Sequence, residues 1–271
     1  MFEITYKRKL NGEVTMIRVH APLIARKARP GQFVMVRVDE TGERIPLTIA
    51  DKDPGSGEVT VIFQEVGNTT IKLGKLEAGE HVLDFTGPLG TPTETEGYRD
   101  ACVIGGGLGT AIAYPQARGL KEAGARVDVI TGFRNKDLVF LEKEMEAVSD
   151  RLIVTTDDGS NGRKGFVTDV LKELLKEKTY DLVVAIGPLP MMKAVAELTR
   201  GLGIKTIVSM NPVMVDGTGM CGGCRVTVGG KVKFACVDGP DFDGHLVDFD
   251  EAMRRQKMYV KQEHRCRLDD K

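Results

Sequence analysis

Near residue 97 the rhythm of this 271-residue sequence changes, and that change limits the folds open to it. Before it, short β-like runs recur at 2–8, 12–19, 32–38, 46–50, 58–64 and 81–85, cut by Pro and Gly. Such spacing predicts an all-β region over 1–96, a small antiparallel β-barrel. After it, apolar runs at 101–104, 126–130, 152–155, 182–186 and 205–208 alternate with segments of helical spacing. Leu141, Met145 and Val148 form one such stripe, and Val170, Leu171, Leu174 and Leu175 another. Strands joined by helical crossovers predict an α/β domain over 97–209 on a doubly wound parallel sheet. Residues 210–271 make a third region, a cysteine module followed by a charged tail.

The module carries the most specific chemistry. Asp216, Cys221, Cys224 and Cys236 read D-x4-C-x2-C-x11-C. Plant-type [2Fe-2S] sites use C-x4-C-x2-C and a later cysteine, because a tight loop must wrap thiolates around two irons. Gly217, Gly219, Gly222 and Gly223 separate the ligands and leave room for a cluster. Residues 225–228 and 231–234 alternate around Gly229-Gly230, which predicts a hairpin with a two-residue turn. Folding it places residue 235 opposite Cys224, so local structure alone returns Cys236 to the first pair. Zinc would favour a second C-x2-C pair or a nearby His, and neither is present. A disulfide lacks a secretory context, and a thioredoxin-type C-x-x-C opens a helix rather than a hairpin. The spacing favours Asp216 as fourth ligand, with Cys266 as the alternative. Cys102 lies in an apolar run and reads as a small buried hydrophobe.

A glycine-rich turn, Gly105-Gly106-Gly107-Leu108-Gly109-Thr110, follows the first strand of the α/β region and opens a helix. Glycines there let backbone N–H groups approach a pyrophosphate, and the helix N-terminus favours its charge. Asp157-Asp-Gly-Ser160 follows the third strand, and Gly187-Pro188-Leu189-Pro190-Met191 the fourth. All three segments end parallel strands, where open α/β sheets bind ligands. Thr110 stands where the last fingerprint Gly belongs, and the second strand ends at Thr131-Gly-Phe-Arg134 without an acid. NAD and NADP both remain open on these residues. In the barrel, Pro46, Leu47 and Thr48 after Arg44, and Gly67-Asn68-Thr69-Thr70 before an apolar segment, suggest a second nucleotide site. Thr69 or Thr70 would cap a short helix that receives phosphate; a plain capped turn is the alternative.

Composition narrows the class further. With 41% hydrophobic residues the chain can build more than one core, and a net charge of −1 gives no electrostatic footprint for nucleic acid. No window is apolar enough to span a membrane and the N-terminus lacks a signal-type apolar run, so a soluble cytoplasmic protein is expected. His20, His81, His245 and His264 are scattered, without a spacing that suggests catalysis.

Six motifs in order resemble the ferredoxin:NADP reductase superfamily. They are Arg29-Pro-Gly-Gln-Phe33, Pro46-Leu-Thr48, Gly67-Asn-Thr-Thr70, Gly87-Pro-Leu-Gly90, Gly105-Gly-Gly-Leu-Gly109 and Gly187-Pro-Leu-Pro-Met191. The cysteine module narrows the resemblance to electron-transfer subunits such as those of dihydroorotate dehydrogenase type B. Asp216 and the Asp238-Gly-Pro-Asp-Phe-Asp243 stretch make it most similar to the small subunits of NADH-dependent ferredoxin:NADP oxidoreductases. The resemblance implies FAD in the barrel with Thr48 at its edge, NAD(H), or alternatively NADP(H), on the sheet, and a [2Fe-2S] cluster. It further implies a large partner subunit carrying another FAD and [4Fe-4S] clusters, in a heterodimer or larger assembly that bifurcates electrons and meets ferredoxin. Two rival readings stay beside it: an orotate-forming partner, or a redox sensor that keeps the fold without turnover.

Overall fold

A computed structural model describes residues 1–258. These form two compact units. One is Met1–Pro92, Asn211–Pro240 and residues 250–258; the other is Thr93–Met210 and Asp241–Phe249. Residues 211–240 fall in the first unit and 241–249 in the second.

In the first unit the strands are β1 (Phe2–Lys9), β2 (Val14–His20), β3 (Phe33–Arg37), β4 (Ile45–Asp53), β5 (Glu58–Gln64), β6 (His81–Val82) and β7 (Asp84–Leu89). They pair antiparallel in the order β6-β1-β2-β5-β4-β3-β7. The two edge strands, β6 and β7, are separated in sequence by Leu83 alone. A sheet whose opposite edges are one residue apart has to curl on itself, and this is why the unit is a nearly closed barrel. The run expected as one strand at 81–85 is thus split, and the Leu83 N–H turns to the Arg37 and Val38 carbonyls at 3.0 and 3.1 Å. Ile4, Ile17, Val34, Val61, Phe63 and Phe85 fill the core. Each large apolar side chain taken out of water contributes about 1.5–3 kcal/mol. Two short helices, α1 (Pro22–Lys27) and α2 (Asn68–Lys75), add Ile24 and Leu73 to that core.

The second unit is built on β8 (Asp100–Gly106), β9 (Arg126–Phe133), β10 (Arg151–Thr156), β11 (Leu182–Ile186) and β12 (Lys205–Ser209). Helices α3 (Gly109–Glu122), α4 (Glu142–Ala147), α5 (Val167–Glu177) and α6 (Leu189–Arg200) alternate with them. The five strands are parallel in the order β10-β9-β8-β11-β12, so the order reverses between β8 and β11. Every residue of β11 is buried, as expected of a strand covered on both faces. The stripe at Leu141, Met145 and Val148 proves shorter than a full amphipathic helix: Leu141 sits at φ 56° before the six-residue α4. Asp128, buried within β9, is satisfied by the Tyr180 hydroxyl at 2.5 Å and by Lys178 Nζ at 3.0 Å. A buried carboxylate without such partners costs several kcal/mol, on the order of 3–5.

The remaining elements are β13 (Arg225–Val228), β14 (Lys231–Phe234), β15 (Asp241–Asp243) and α7 (Phe249–Gln256). The β13–β14 hairpin turns at Gly229 and Gly230 with φ of 57° and 73°, the left-handed conformation a two-residue turn requires. β15 had no expectation from sequence; it adds antiparallel to the outer edge of β12. Among the described residues no helix is long and apolar enough to cross a membrane.

Candidate functional site

Where the strand order reverses, the loops after β8 and β11 press together so closely that only glycine fits. A Cβ on Gly109 would stand 2.2 Å from the Ile186 carbonyl oxygen, and one on Gly187 would stand 3.1 Å from the Gly106 Cα. A Cβ on Gly106 would meet Met191 Sδ at 2.5 Å and Pro188 Cδ at 3.1 Å. Gly107 takes φ +55° as the loop turns into α3. The fold therefore gathers Gly105, Gly106, Gly107, Gly109, Thr110, Gly187, Pro188 and Met191 at the carboxyl ends of the two central strands. Thr110 is fully buried, and its Oγ1 has no hydrogen-bond partner among the described residues. Asp157 stands apart, exposed at the end of outermost β10. Two strand spacings separate β10 from β8, roughly 10 Å. Its neighbour Asp158 is held ionised by the Ser160 hydroxyl and N–H, which depress its pKa.

In the barrel, Leu47 and Ile49 turn into the core while Thr48 between them is half-buried, its backbone opposite Phe33. Pro46 pairs with Met35. Thr70 reaches back over the start of α2: its hydroxyl accepts from the Gly67 N–H at 3.0 Å and the Val66 N–H at 3.1 Å. By helix geometry the N–H groups of Asn68, Thr69 and Thr70 lack intrahelical partners. Arg44 is engaged by Asp84 in an ion pair of 3.2 Å.

The hairpin delivers the third cysteine as its register predicts. The Ala235 N–H donates to the Cys224 carbonyl at 3.1 Å, and the Cys224 and Cys236 sulfurs lie 3.2 Å apart, both buried. Burial, and then the Cys224 thiol, push the Cys236 pKa up to about 12. Asp216 accepts from the Thr218 N–H at 2.8 Å and the Cys221 N–H at 2.7 Å. These donors, Thr218 foremost, hold its pKa below the usual carboxylate range. Cys221 is exposed, with the Gly223 N–H 3.4 Å from its sulfur. Among the described residues no three His, Cys, Asp or Glu side chains yet converge on one point. The donors instead stand in two pairs, Asp216 with Cys221 and Cys224 with Cys236. Three thiols free of disulfides and one ionised carboxylate, carried on a loop of small residues, fit a two-iron cluster. Gly217 sets this loop against the barrel: a Cβ there would meet Met35 Cγ at 2.6 Å and Leu89 Cδ1 at 3.0 Å.

Residues 211–248 match the iron-sulfur cluster binding domain of dihydroorotate dehydrogenase B. Across the chain, a Clostridium beijerinckii protein from the adh 3′ region is 50% identical, covering 99% of this chain and 94% of that one. A Thermotoga maritima homologue of the dihydroorotate dehydrogenase B electron transfer subunit is 48% identical, covering 96% and 92%. The chain belongs to the family of dihydroorotate dehydrogenase B electron transfer subunits and their homologues. The solved NADH-dependent reduced ferredoxin-NADP oxidoreductase, studied for flavin-based electron bifurcation, superposes with a TM-score of 0.94 at 44% identity, covering 99% of this chain and 97% of that one.

Membership in this family leaves several residues to be placed. Cys102 lies fully buried in β8, where burial drives its thiol pKa far up and keeps it inert. Cys266 and His264 lie outside the described residues. His20 and His81 are exposed, and His245 shares a hydrogen bond of 3.0 Å with the Thr199 hydroxyl. Sequence reasoning missed Asp241 and Gln116, which meet in the second unit with Gln116 Nε2 3.2 Å from Asp241 Oδ2. The alternation in Asp241-Phe-Asp243 was the available signal, since it marks a short strand with one buried side chain.

Proposed function

We propose that this chain is the electron-transfer flavoprotein subunit of an electron-bifurcating ferredoxin:NADP oxidoreductase, working between NAD(H) and a large partner subunit. The whole-chain likeness to that enzyme's structure, at 44% identity, carries the reading. FAD held in the barrel would supply hydride chemistry with single-electron release, and a [2Fe-2S] cluster held by Asp216, Cys221, Cys224 and Cys236 would supply one-electron transfer.

The protein's part is position and electrostatics. The backbone of Gly105–Gly107 and Gly109, with the start of α3, would hold the dinucleotide pyrophosphate, while the tight packing at Gly187, Pro188 and Met191 walls one side. Asp157 would meet the far end of the same ligand. Pro46, Leu47 and Thr48 would border the flavin, with the Thr48 hydroxyl free of the core. The start of α2, at Gly67, Thr69 and Thr70, would receive the flavin's phosphates. Asp216, Cys221, Cys224 and Cys236 would hold the irons, a harder oxygen donor replacing one thiolate. Val213, Val215 and Met220 are exposed around that loop, an apolar rim suited to a partner surface. The partner is read as a subunit with its own flavin and [4Fe-4S] clusters, and ferredoxin is reached through it. A dihydroorotate dehydrogenase electron-transfer role is the second reading, supported by the match over 211–248.

The first test is the visible spectrum of the anaerobically purified chain with and without NADH. Flavin and iron-sulfur bands that both bleach are expected. A colourless protein that retains zinc would overturn the reading of Asp216 and its three cysteines.

A further inference from the structure

Between Cys221 and Cys224 stand Gly222 and Gly223, and each of their carbonyls is taken by an arginine. Arg225 Nη1 donates to the Gly222 carbonyl at 2.7 Å, and Arg255 Nη2 donates to the Gly223 carbonyl at 3.2 Å. Arg225 is the first residue of β13 and follows the second cysteine directly. Arg255 lies in the last turn of α7, thirty-two positions beyond its acceptor. All of these residues belong to the first compact unit. The charged tail thereby reaches the ligand loop through its described part.

The same turn offers its donors to a sulfur. The Gly222 carbonyl and the Gly223 N–H are the two ends of one peptide unit, and that N–H stands 3.4 Å from Cys221 Sγ. The Gly223 carbonyl likewise shares its peptide unit with the N–H of Cys224. A guanidinium on the carbonyl end of a peptide draws electron density toward itself and makes the N–H a stronger donor, as along any chain of hydrogen bonds. Packing is close on both residues: a Cβ on Gly222 would lie 3.1 Å from Arg225 Nη1, and one on Gly223 would lie 3.5 Å from Cys221 Sγ. Three thiolates and a carboxylate around two irons leave a negatively charged centre, and reduction adds one more negative charge. Hydrogen bonds to the ligand sulfurs and nearby positive charge both favour that added electron. Arginine stays charged at every working pH and holds its donors in a fixed fork, whereas a turn that needed only holding together could use a neutral donor.

We propose that Arg225 and Arg255 are positioning residues for the cluster, which clamp the two peptide units between Cys221 and Cys224, aim the Gly223 N–H at the Cys221 sulfur, and raise the reduction potential of the site. The inference rests on the reading that Asp216, Cys221, Cys224 and Cys236 hold a [2Fe-2S] cluster.

The test uses the full chain, purified anaerobically with its flavin and iron, poised at a series of potentials and followed by the electron paramagnetic resonance of the reduced cluster. In Arg255→Gln the equilibrium constant for cluster reduction is expected to fall by about tenfold, a potential about 59 mV lower for a one-electron couple. Arg225→Gln should lower it by less, because Arg225 is exposed and water screens its charge. Arg255→Lys, which keeps a charged donor, should recover part of the loss. Iron content is expected to match the wild type in all three, so that the change lies in the potential and not in assembly. Should Arg255→Gln lose its iron, the exposed Arg225→Gln carries the same test. Potentials and resonance spectra that match the wild type in every iron-bearing glutamine variant would overturn the proposal, as would a rise in potential. A wild-type chain without a reducible cluster would sink the ligand reading and this inference with it, whereas a wild-type cluster whose potential ignores both arginines sinks the inference alone.

Discussion

Several glycines of this protein stand where no side chain would fit. Gly109 is the sharpest case, since a Cβ would lie 2.2 Å from a backbone oxygen that cannot swing away. Gly109→Ala should force the turns after β8 and β11 apart, destabilising the protein by about 1–3 kcal/mol. It should raise the KM for NADH more than it lowers kcat with an artificial acceptor; equal KM values would remove the turn from the nucleotide site. Asp216 shows the opposite use of a side chain. Its carboxylate is held ionised by backbone N–H groups of its own loop, which supports the proposal that an acid stands there in place of a thiolate. The spacing of Asp216 and the cysteines was legible because loop and hairpin are both local. The pairing of Arg44 with Asp84 was not, since those residues are forty positions apart.

Among the elements, the β13–β14 hairpin does most for the site with the fewest residues. Two glycines set the turn, the turn sets the register, and the register brings Cys236 to Cys224. An alanine inserted between Val232 and Lys233 shifts the later half of the hairpin by one and sends its side chains to the other face. Purified protein carrying that insertion should lose most of its iron and retain its flavin, as read by metal analysis and the visible spectrum. Iron bound at the normal level would place the third ligand elsewhere. The helix start at Gly67 behaves differently: Thr70 satisfies the Gly67 and Val66 donors itself, and the next N–H groups lack intrahelical partners.

At the scale of the whole molecule the chain is two units linked by four passages, with the cluster loop grouped with the barrel. The chain alone should oxidise NADH with artificial acceptors yet fail to reduce NADP with ferredoxin until its large partner is added. Full activity of the isolated chain would sink the two-subunit reading.

Local order was readable from sequence because it depends on neighbours: strand runs and helical stripes follow side-chain period, the hairpin follows its Gly-Gly turn, and the ligand loop follows its spacing. Five parallel strands and the glycine turn between strand and helix were recoverable for the same reason. What tertiary structure alone decided are contacts between residues far apart in sequence. The barrel closes because Leu83 joins opposite edges of one sheet, which broke an apparent single strand in two. Asp241–Asp243 pairs with β12 rather than with the hairpin that precedes it in sequence. Asp241 meets Thr93 and Gln116 across more than a hundred residues, and no periodicity records such a meeting, since it is set by how the completed sheet and helix pack.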